Sequence, residues 1–391
     1  MPVARSKQLR VAVLCDFLEE GWPSMDVTGN MLHQSLAEIY PHQLSADQLR
    51  PEFHWRLTRV PMLPRALGRN ADRLLNRFFD YPRWLGTRTG DYDLFHLVDH
   101  SYSQLLHKLP AHRTIVTCHD LDTFRCLLEP EQEKRSAWFQ AMARRILSGF
   151  QQAAHVICNS AATRDQLLHY RLFPPERLSV IHVGLSPRFT SLPNPEADAE
   201  AVRLLGPSVA SEVRLLSVGS TIPRKRIDIL LRVFAAIRQD LPAARLIRVG
   251  GAFTEAQLQL ARDLKVEESI AVLPFVTGDV LASIYRQSTL LLQPSESEGF
   301  GMPLTEALAC GCPVLASDLA SLREVGGTAV SYCSVADVDA WKRAALQMVR
   351  KNADRNAFES WRRQAREHAG HYSWAENARQ TFDVYKKVLQ Q

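Results

Sequence analysis

The 391-residue sequence contains no long apolar run and few cysteines. A membrane-spanning helix needs about 18 consecutive apolar residues, and no stretch of the sequence approaches that length. The seven cysteines are an odd number, and most of them lie in short apolar segments typical of buried strands. This distribution favours reduced thiols over a disulfide framework and predicts a cytoplasmic protein.

A strong excess of charge is also lacking, since the formal net charge is only +5. A mildly basic balance of this kind favours anionic partners such as phosphates or acidic lipids. It is too weak to indicate a nucleic-acid-binding protein, and the sequence has no RNP, zinc-finger or helix-turn-helix signature. We therefore expect no nucleic acid among its partners.

The length and the order of apolar segments predict two α/β domains. The chain is too long for one ordinary core, and its 46% hydrophobic and 23% charged residues are typical of a globular protein. Short apolar runs alternate with helical patterns, which predicts mostly parallel sheets covered on both faces. The alternation stops in a proline-rich segment. We predict an N-terminal domain at 1–184, a linker at 185–211, a second domain at 212–372 and a terminal helix at 373–391.

Buried strands are predicted wherever a short apolar run stands between turns. Those of the first domain include Val11–Cys15, Phe53–Val60, Leu94–Val98, Thr114–Cys118 and Val156–Cys158. Those of the second domain are Leu215–Val218, Leu246–Val249, Ile270–Leu273, Leu290–Gln293 and Val314–Ser317. Ligands of doubly wound folds bind outside the carboxyl ends of the strands, so functional residues are expected just after them.

The segment 293–314, QPSESEGFGMPLTEALACGCPV, carries the strongest functional signal. It reads as a buried strand, a glycine-bearing loop and a helix, with Pro303 suited to the first helical turn. The free N–H groups and the dipole of such a helix start favour a phosphate. Glu298 and Glu306 have seven residues between them, and their carboxylates can accept hydrogen bonds from a sugar hydroxyl and a ribose diol, respectively. Taken alone, such a pair is more often a solvated helix acid beside turn-forming glycines.

The run from Ser297 to Val314 closely resembles the E-x7-E segment of the retaining glycosyltransferases of family four (group 1, mannosyltransferase-like). The resemblance extends over nearly the whole chain. It implies the GT-B fold, in which two Rossmann-like doubly wound domains face a cleft and a C-terminal helix crosses back to the N-terminal domain. It also implies that the following residues bind the donor: Glu298, Gly299, Phe300, Gly301 and Glu306.

Residues 218–226, VGSTIPRKR, resemble the strand, glycine turn and basic pair of the same family. By resemblance, Gly219 adjoins the donor, and Arg224 and Lys225 hold its diphosphate, because a phosphate needs cationic partners. The alternative is a basic first helical turn in solvent, although cations disfavour a helix start. Glu324, in the segment 317–327, either contacts the nucleotide or serves as a capping residue.

The N-terminal half matches the family less closely. Residues 117–121, TCHDL, resemble its T-x-H-D-L segment, which implies that His119 lies near the donor sugar and the acceptor. The loop 19–30 departs from the family's usual glycine pair, but Gly21 and Gly29 could still let the backbone approach the donor phosphates. The polar residues around the preceding strand either line the acceptor pocket or form a satisfied network: His96, Asp99, His100 and Tyr102.

No metal site and no cofactor are predicted. Cys310 and Cys312 form a C-x-C motif without a second ligand pair. The D-x-D tripeptides at 91–93, 120–122 and 337–339 open a strand, adjoin His119 and begin a helix, respectively. In the other major glycosyltransferase fold, such a motif holds a metal for the diphosphate. Here the basic pair and the helix start already supply positive charge.

The segment 65–88 interleaves apolar residues with six arginines: Arg65, Arg69, Arg73, Arg77, Arg83 and Arg88. It is either a peripheral contact with an anionic membrane or a core-facing helix with a solvated basic face.

The resemblance implies a retaining glycosyltransferase that moves a sugar from a nucleoside diphosphate sugar to a hydroxyl of a glycan, a lipid-linked acceptor or a small molecule. One alternative is a non-catalytic scaffold that binds nucleotide sugars, because fold alone does not establish activity. Another is a GT-B phosphorylase or an epimerase. The intact basic pair and both glutamates argue against the scaffold.

Overall fold

A computed structural model describes residues 8–206, 212–352 and 354–390 of the chain. The chain divides into two compact units, one formed by Met1–Gly184 with Trp374–Gln391 and the other by Leu185–Ser373. Residues 207–211 of the predicted linker lie outside the described residues. The remainder of that linker includes a regular helix, Pro195–Leu205, which Asn194 caps by accepting a hydrogen bond from the Ala197 N–H.

The first unit is built on short buried strands. They are β1 (Leu9–Leu14), β2 (Leu44–Leu49), β3 (Leu94–Leu97), β4 (Thr114–Cys118), β5 (His155–Cys158) and β6 (Leu178–Val180). Within the described residues they form one parallel sheet in the order β2-β1-β3-β4-β5-β6. Its helices are α1 (Pro23–Ile39), α2 (Arg65–Leu75), α3 (Tyr81–Gly86), α4 (Arg125–Leu128), α5 (Ala137–Phe150) and α6 (Ala161–His169).

The predicted strand Phe53–Val60 is wrong, and the second strand lies earlier, at β2. The sequence of β2, LSADQL, is polar because it is the edge strand of the sheet. In the segment after it, the Asp72 carboxylate accepts hydrogen bonds from the backbone N–H groups of Arg56, Leu57 and Thr58. The Asp72 side chain on α2 therefore takes up these donors, and they cannot pair with a neighbouring strand.

The second unit repeats the architecture. Its helices and strands are α7 (Pro195–Leu205), β7 (Arg214–Val218), α8 (Ile227–Asp240), β8 (Arg245–Val249), α9 (Glu255–Asp263), β9 (Ile270–Leu273), α10 (Gly278–Arg286), β10 (Leu290–Gln293), α11 (Met302–Cys310), β11 (Val314–Ser317), α12 (Ala320–Gly326), β12 (Ser331–Cys333), α13 (Val338–Lys351) and α14 (Arg355–Ala369). Its described strands form a parallel sheet in the order β12-β11-β10-β7-β8-β9. Two doubly wound sheets confirm the predicted fold class.

The chain returns to the first unit in its last helix, α15 (Trp374–Leu389). The Phe382 ring of α15 packs against Tyr40, at the end of α1, with ring centroids 4.1 Å apart. The Tyr385 hydroxyl lies 2.7 Å from Nδ1 of His96, on β3. This helix therefore completes the core of the first unit, as the sequence predicted.

Candidate functional site

The loop between β10 and α11 carries Glu298, whose carboxylate is surrounded by donors. Its Oε1 atom accepts hydrogen bonds from Lys225 Nζ at 2.6 Å, Ser295 Oγ at 2.7 Å and Gln293 Nε2 at 2.9 Å. Its Oε2 atom accepts one from Arg224 Nη1 at 3.3 Å. Burial alone would raise the pKa of Glu298, but Lys225 and Arg224 reverse that effect and bring the pKa to about 2. Glu298 is therefore a buried carboxylate that stays ionised.

The basic pair lies on a 3-10 turn, Pro223–Lys225, that follows β7. The backbone carbonyl of Arg224 accepts a hydrogen bond from the Glu296 N–H at 2.7 Å, and its side chain donates to the Ser297 carbonyl at 2.9 Å. The turn and the glutamate loop are thus joined through backbone as well as side chains. The structure brings the adjacent pair Arg224 and Lys225 together with Glu298, which is more than 70 residues away in sequence.

The glutamate loop ends at the start of α11, where Gly301 has a φ of +91°. A Cβ atom at this position would lie 2.5 Å from the Leu322 side chain, so the tight approach also requires glycine. Helix α11 begins at Met302, and Pro303 follows in its first turn. The helix start therefore brings its positive dipole end to the same loop as Glu298.

Glu306 lies further along α11 in a different environment. Its Oε2 atom accepts a hydrogen bond from the Tyr285 hydroxyl, on α10, at 2.9 Å. Burial raises the pKa of Glu306 to about 7, and the Tyr285 hydrogen bond opposes that rise only in part. The two glutamates of the motif thus differ electrostatically: one is paired with cations, and the other is held by a neutral hydroxyl.

The remaining predicted residues of this unit frame the loop. Phe300 is buried, and its ring packs edge-on against Tyr372 at 5.5 Å. Gly219 has a φ of +129° and lies beside the Lys225 side chain. Glu324 lies inside α12 rather than at its first residue, so it is not an N-cap. The Ser321 hydroxyl, also on α12, donates to the Glu298 carbonyl at 2.6 Å.

A cavity opens at the carboxyl ends of β7, β8 and β10. Lys225 and Pro303 line it, together with residues that the sequence interpretation did not select: Ser217, Ser220, Arg248, Gln293 and Ser295. Gln293 and Ser295 stood inside the motif and could have been recognised as donors to the glutamate. Arg248 was visible only as one cation in the predicted strand Leu246–Val249, which is otherwise apolar.

In the first unit, His119 follows β4 and is buried. Its Nε2 atom lies 2.7 Å from the Val98 carbonyl, so Nε2 carries the proton and Nδ1 is the nitrogen that can accept one. The backbone N–H of His119 points to His100 Nδ1 at 3.4 Å. His119 therefore has a fixed ring orientation at the carboxyl end of a parallel strand.

The contacts of the polar residues around β3 distinguish the two interpretations of the sequence, an acceptor-pocket lining and a satisfied network. His96 is fully buried between Tyr385 and the Thr117 hydroxyl, and burial lowers its pKa to about 3. Asp99 accepts hydrogen bonds from both the N–H and the hydroxyl of Ser101. Tyr102 is buried under the Arg77 guanidinium. For these three residues the structure supports a satisfied polar network rather than a pocket lining.

The expected glycine loop at 19–30 is wrong in its second half, because α1 begins at Pro23. Gly21 ends a 3-10 turn with a φ of +72°. Gly29 lies inside α1, where a Cβ atom would come within 2.7 Å of Cys15 Sγ. Its glycine serves the close packing of α1 on the strand behind it, and its N–H belongs to the helix.

The D-x-D tripeptides serve local structure. Asp93 accepts a hydrogen bond from the Arg10 N–H, Asp120 accepts one from the Asp122 N–H, and Asp337 caps α13 through the Ala340 N–H. In the part of the chain that the structure describes, no group of three or more histidine, cysteine or acidic side chains is arranged to hold a metal ion.

The arginine-rich segment forms a continuous helical run from α2 to α3 through a π-helical turn, Asn76–Asp80. Phe78 and Trp84 pack on the core of the first unit. Leu67, Leu75 and Phe79, at spacings of eight and four residues, are 39–61% exposed. The packing of Phe78 and Trp84 bears out a core-facing helix, and the membrane contact stays a prediction. Among the described residues, no helix is both long and apolar enough to cross a membrane.

Each half of the chain matches a known protein family. Residues 207–368 match the family model "Glycosyl transferases group 1", and residues 39–189 match "Glycosyltransferase Family 4". D-inositol 3-phosphate glycosyltransferase of Mycobacterium marinum is 31% identical over 61% of this chain and 51% of its own, so the chain spans about half the length of that relative. O-antigen chain mannosyltransferase B of Escherichia coli is 28% identical over 70% of each chain.

Solved structures share the fold at low identity. Sucrose-phosphate synthase from Thermosynechococcus elongatus superposes with a TM-score of 0.73 at 20% identity, over 98% of this chain and 100% of that one. HepE from Anabaena, solved in complex with UDP and glucose, superposes with a TM-score of 0.69 at 17% identity, over 97% and 100%.

Proposed function

The chain belongs to the group 1, family 4 glycosyltransferases of the GT-B fold, and from that membership we propose that it transfers a sugar from a nucleoside diphosphate sugar to an acceptor hydroxyl with retention of configuration. One observation carries the proposal. Lys225 and the start of α11 line one cavity, and Arg224 is tied to Lys225 through Glu298. Two cations and a helix dipole at one cavity suit a diphosphate.

In the proposed reaction, the bond between the anomeric carbon and the diphosphate oxygen breaks, and its electron pair stays on the phosphate. The acceptor oxygen bonds to the anomeric carbon on the same face, and its proton passes to the departing phosphate oxygen. Negative charge develops on the leaving group, where Arg224, Lys225 and the helix start stabilise it electrostatically. These groups are already held by Glu298 and the backbone, so little reorganisation is needed.

The two glutamates take different parts in this proposal. Glu298 holds the basic pair and adjoins the donor sugar. Glu306 accepts hydrogen bonds from the ribose diol, for which a buried carboxylate beside one neutral hydroxyl is suited. His119, oriented by the Val98 carbonyl, serves near the donor sugar and the acceptor, as the family resemblance implies. We propose that no metal is required, because the cations that face the diphosphate are side chains.

The named relatives point to donors and acceptors for the first assay. The purified protein is incubated with UDP-glucose, UDP-N-acetylglucosamine or GDP-mannose, with inositol 3-phosphate or a mannose oligosaccharide as acceptor. We expect acceptor-stimulated release of the nucleoside diphosphate and a product with the donor's anomeric configuration by NMR. Binding of UDP or GDP without any turnover favours a scaffold. Binding of neither nucleotide by calorimetry contradicts the proposal whatever the acceptor.

We also propose a peripheral contact between an anionic membrane and one surface of the first unit, the apolar–arginine patch (exposed Val60, Met62, Leu67, Leu75 and Phe79). The turn and the helix of this patch are one rigid piece, since Asp72 of α2 binds the N–H groups of residues 56–58. Between residues 57 and 79 the sequence has five arginines and one acid, the buried Asp72. Arg77 pairs with Glu20. The exposed apolar side chains beside the other arginines match a surface of acidic lipid headgroups.

A further inference from the structure

Arg248 is a fully buried arginine on β8, close to the carboxyl end of that strand. Its guanidinium donates hydrogen bonds to four backbone carbonyls. Two of them are at Ser217, at 3.2 Å, and Ser220, at 2.8 Å. The others are those of Gly219 and Val249. Three of the four acceptors lie at the end of β7 or in the turn that leads from it to the basic pair.

This buried charge has no carboxylate partner within 4.0 Å among the described residues. Burial lowers the pKa of Arg248 to about 10, so the side chain remains charged at neutral pH. Carbonyl dipoles offset only part of the cost of removing a guanidinium from water. A retained cation without an anion in a sheet interior therefore points to an anion supplied from outside the protein.

Arg248 also borders the cavity at the carboxyl ends of β7, β8 and β10. It lines that cavity together with Ser220, Lys225 and Pro303. The two strand ends are in close contact here, because a Cβ atom at Gly250 would lie 2.5 Å from the Gly219 carbonyl oxygen. The guanidinium and this close packing hold the turn 217–220 against the cavity wall.

The positive charge contributed by Arg224, Lys225 and the start of α11, less that of Glu298, is smaller than the negative charge of a diphosphate. Arg224 and Lys225 together carry two positive charges, and the Glu298 carboxylate between them cancels one. The diphosphate of a nucleotide sugar carries two negative charges. The start of α11 contributes about half a positive charge. Arg248 is the additional buried cation that brings the cavity close to neutrality when a diphosphate is bound.

We propose that Arg248 is a positioning residue for the diphosphate of the donor, which holds the turn 217–220 in shape and supplies positive charge beneath it. The inference rests on the proposed function, since it assumes that the cavity binds a nucleoside diphosphate. It adds a third cation to the pair expected from the sequence.

Two substitutions separate the charge from the shape. Arg248→Lys keeps the positive charge with fewer hydrogen bonds, and Arg248→Gln keeps a donor to the carbonyls without the charge. Calorimetry is carried out with inorganic pyrophosphate, with UDP and GDP, and with uridine and guanosine. We expect Arg248→Gln to weaken binding of pyrophosphate and of the preferred nucleoside diphosphate at least tenfold, while Arg248→Lys stays within about threefold. Binding of the nucleoside should change less than twofold in both variants.

Arg214→Met provides the matched control. Arg214 is equally buried on the neighbouring strand β7, but it stands at the opposite end of that strand and pairs with Glu212. This variant should lose stability and keep its pyrophosphate affinity. Equal affinities of the Gln and Lys variants for pyrophosphate, or parallel losses for nucleoside and diphosphate, would overturn the role of Arg248. Failure of the wild-type protein to bind any of these ligands would instead contradict the proposed function.

Discussion

Lys225 Nζ lies 2.6 Å from Glu298 Oε1, and both side chains are largely buried. The acid that the motif assigns to the donor sugar is therefore also the counter-ion of the pair assigned to the diphosphate. Removing Glu298 takes the shared carboxylate from both Lys225 and Arg224, and removing Lys225 leaves Glu298 with Arg224 as its paired cation. Substitutions at these positions consequently change stability as well as catalysis, and the two effects have to be measured separately.

A double-mutant cycle on Lys225 and Glu298 tests this coupling. We expect Lys225→Met and Glu298→Gln each to lower the free energy of unfolding by about 3 kcal/mol, the usual cost of breaking a buried ion pair. The double variant should lose less than the sum, because each single variant already removes the same Lys225–Glu298 ion pair. Urea unfolding provides the measurement.

The Lys342–Asp240 pair, which is more exposed than the Lys225–Glu298 pair, is the control for that cycle. Lys342→Met should change stability by less than about 1 kcal/mol. Turnover of the folded Lys225→Met protein should fall at least tenfold, because a charge-assisted contact to the leaving group is lost. Additive stability losses, or turnover within twofold of the wild type, would remove the basis for the coupled site.

The pKa of Glu306 predicts pH-dependent donor binding. Burial raises this pKa to about 7, and the ribose hydroxyls need the ionised form. Affinity for a nucleoside diphosphate sugar should therefore rise as the pH increases towards about 7. Below the pKa of Glu306, the rise is at most tenfold for each pH unit. The donor's diphosphate has no proton to lose in this range, so the dependence belongs to the protein. Calorimetry between pH 5.5 and 8.5 measures it.

Two variants identify the group responsible. Glu306→Gln should bind the donor weakly and without this pH dependence. Tyr285→Phe should move the midpoint upward, because the lost hydrogen bond had favoured the ionised carboxylate. Because the pKa of Glu306 is raised from 4.5 to about 7, its burial lowers the stability of the fold as pH rises from about 4.5 to about 7, so Glu306→Gln should be more stable at pH 8, by on the order of 1–3 kcal/mol. A pH profile that survives in Glu306→Gln rules out this assignment.

Donor turnover should persist in excess EDTA. The positive charges proposed to face the leaving diphosphate are Arg224, Lys225 and the start of α11, none of which a chelator removes. Rates with EDTA, at roughly 5–10 mM, and without EDTA should agree within about twofold. Complete loss of turnover that manganese or magnesium restores would show that the charge partner of the diphosphate was assigned wrongly.

The apolar–arginine patch predicts binding to anionic vesicles. The protein should float with phosphatidylcholine vesicles that contain phosphatidylglycerol and not with phosphatidylcholine alone, and added salt should weaken the binding. The double variant Leu67→Ser, Phe79→Ser should lose most of it. The matched control is Val272→Ser, Phe275→Ser, which changes two exposed apolar residues of the second unit. Equal flotation of both double variants, or no flotation of the wild type, contradicts the docking surface.

Much of the fold could be predicted from the sequence, because strands that are covered on both faces consist of continuous apolar residues. Strands β3, β4, β5 and β10 are of this kind. The edge strand β2 was missed, because one side of it lacks a neighbour and its residues can remain polar. The aromatic segment after it looked like a strand, although the distant Asp72 uses its N–H groups.

The sequence by itself determined the two doubly wound domains, the loop and helix that contain Glu298 and Glu306, and the basic pair after β7. Each of these depends on a local pattern: apolar periodicity, a glycine turn or a helix start. Only the tertiary structure decided that Glu298 pairs with Lys225, that Gly29 is a packing position and that Arg248 binds the carbonyls of the turn 217–220. Those relationships join residues from separate strands and helices, and no local pattern specifies which buried charges meet when parallel strand ends converge.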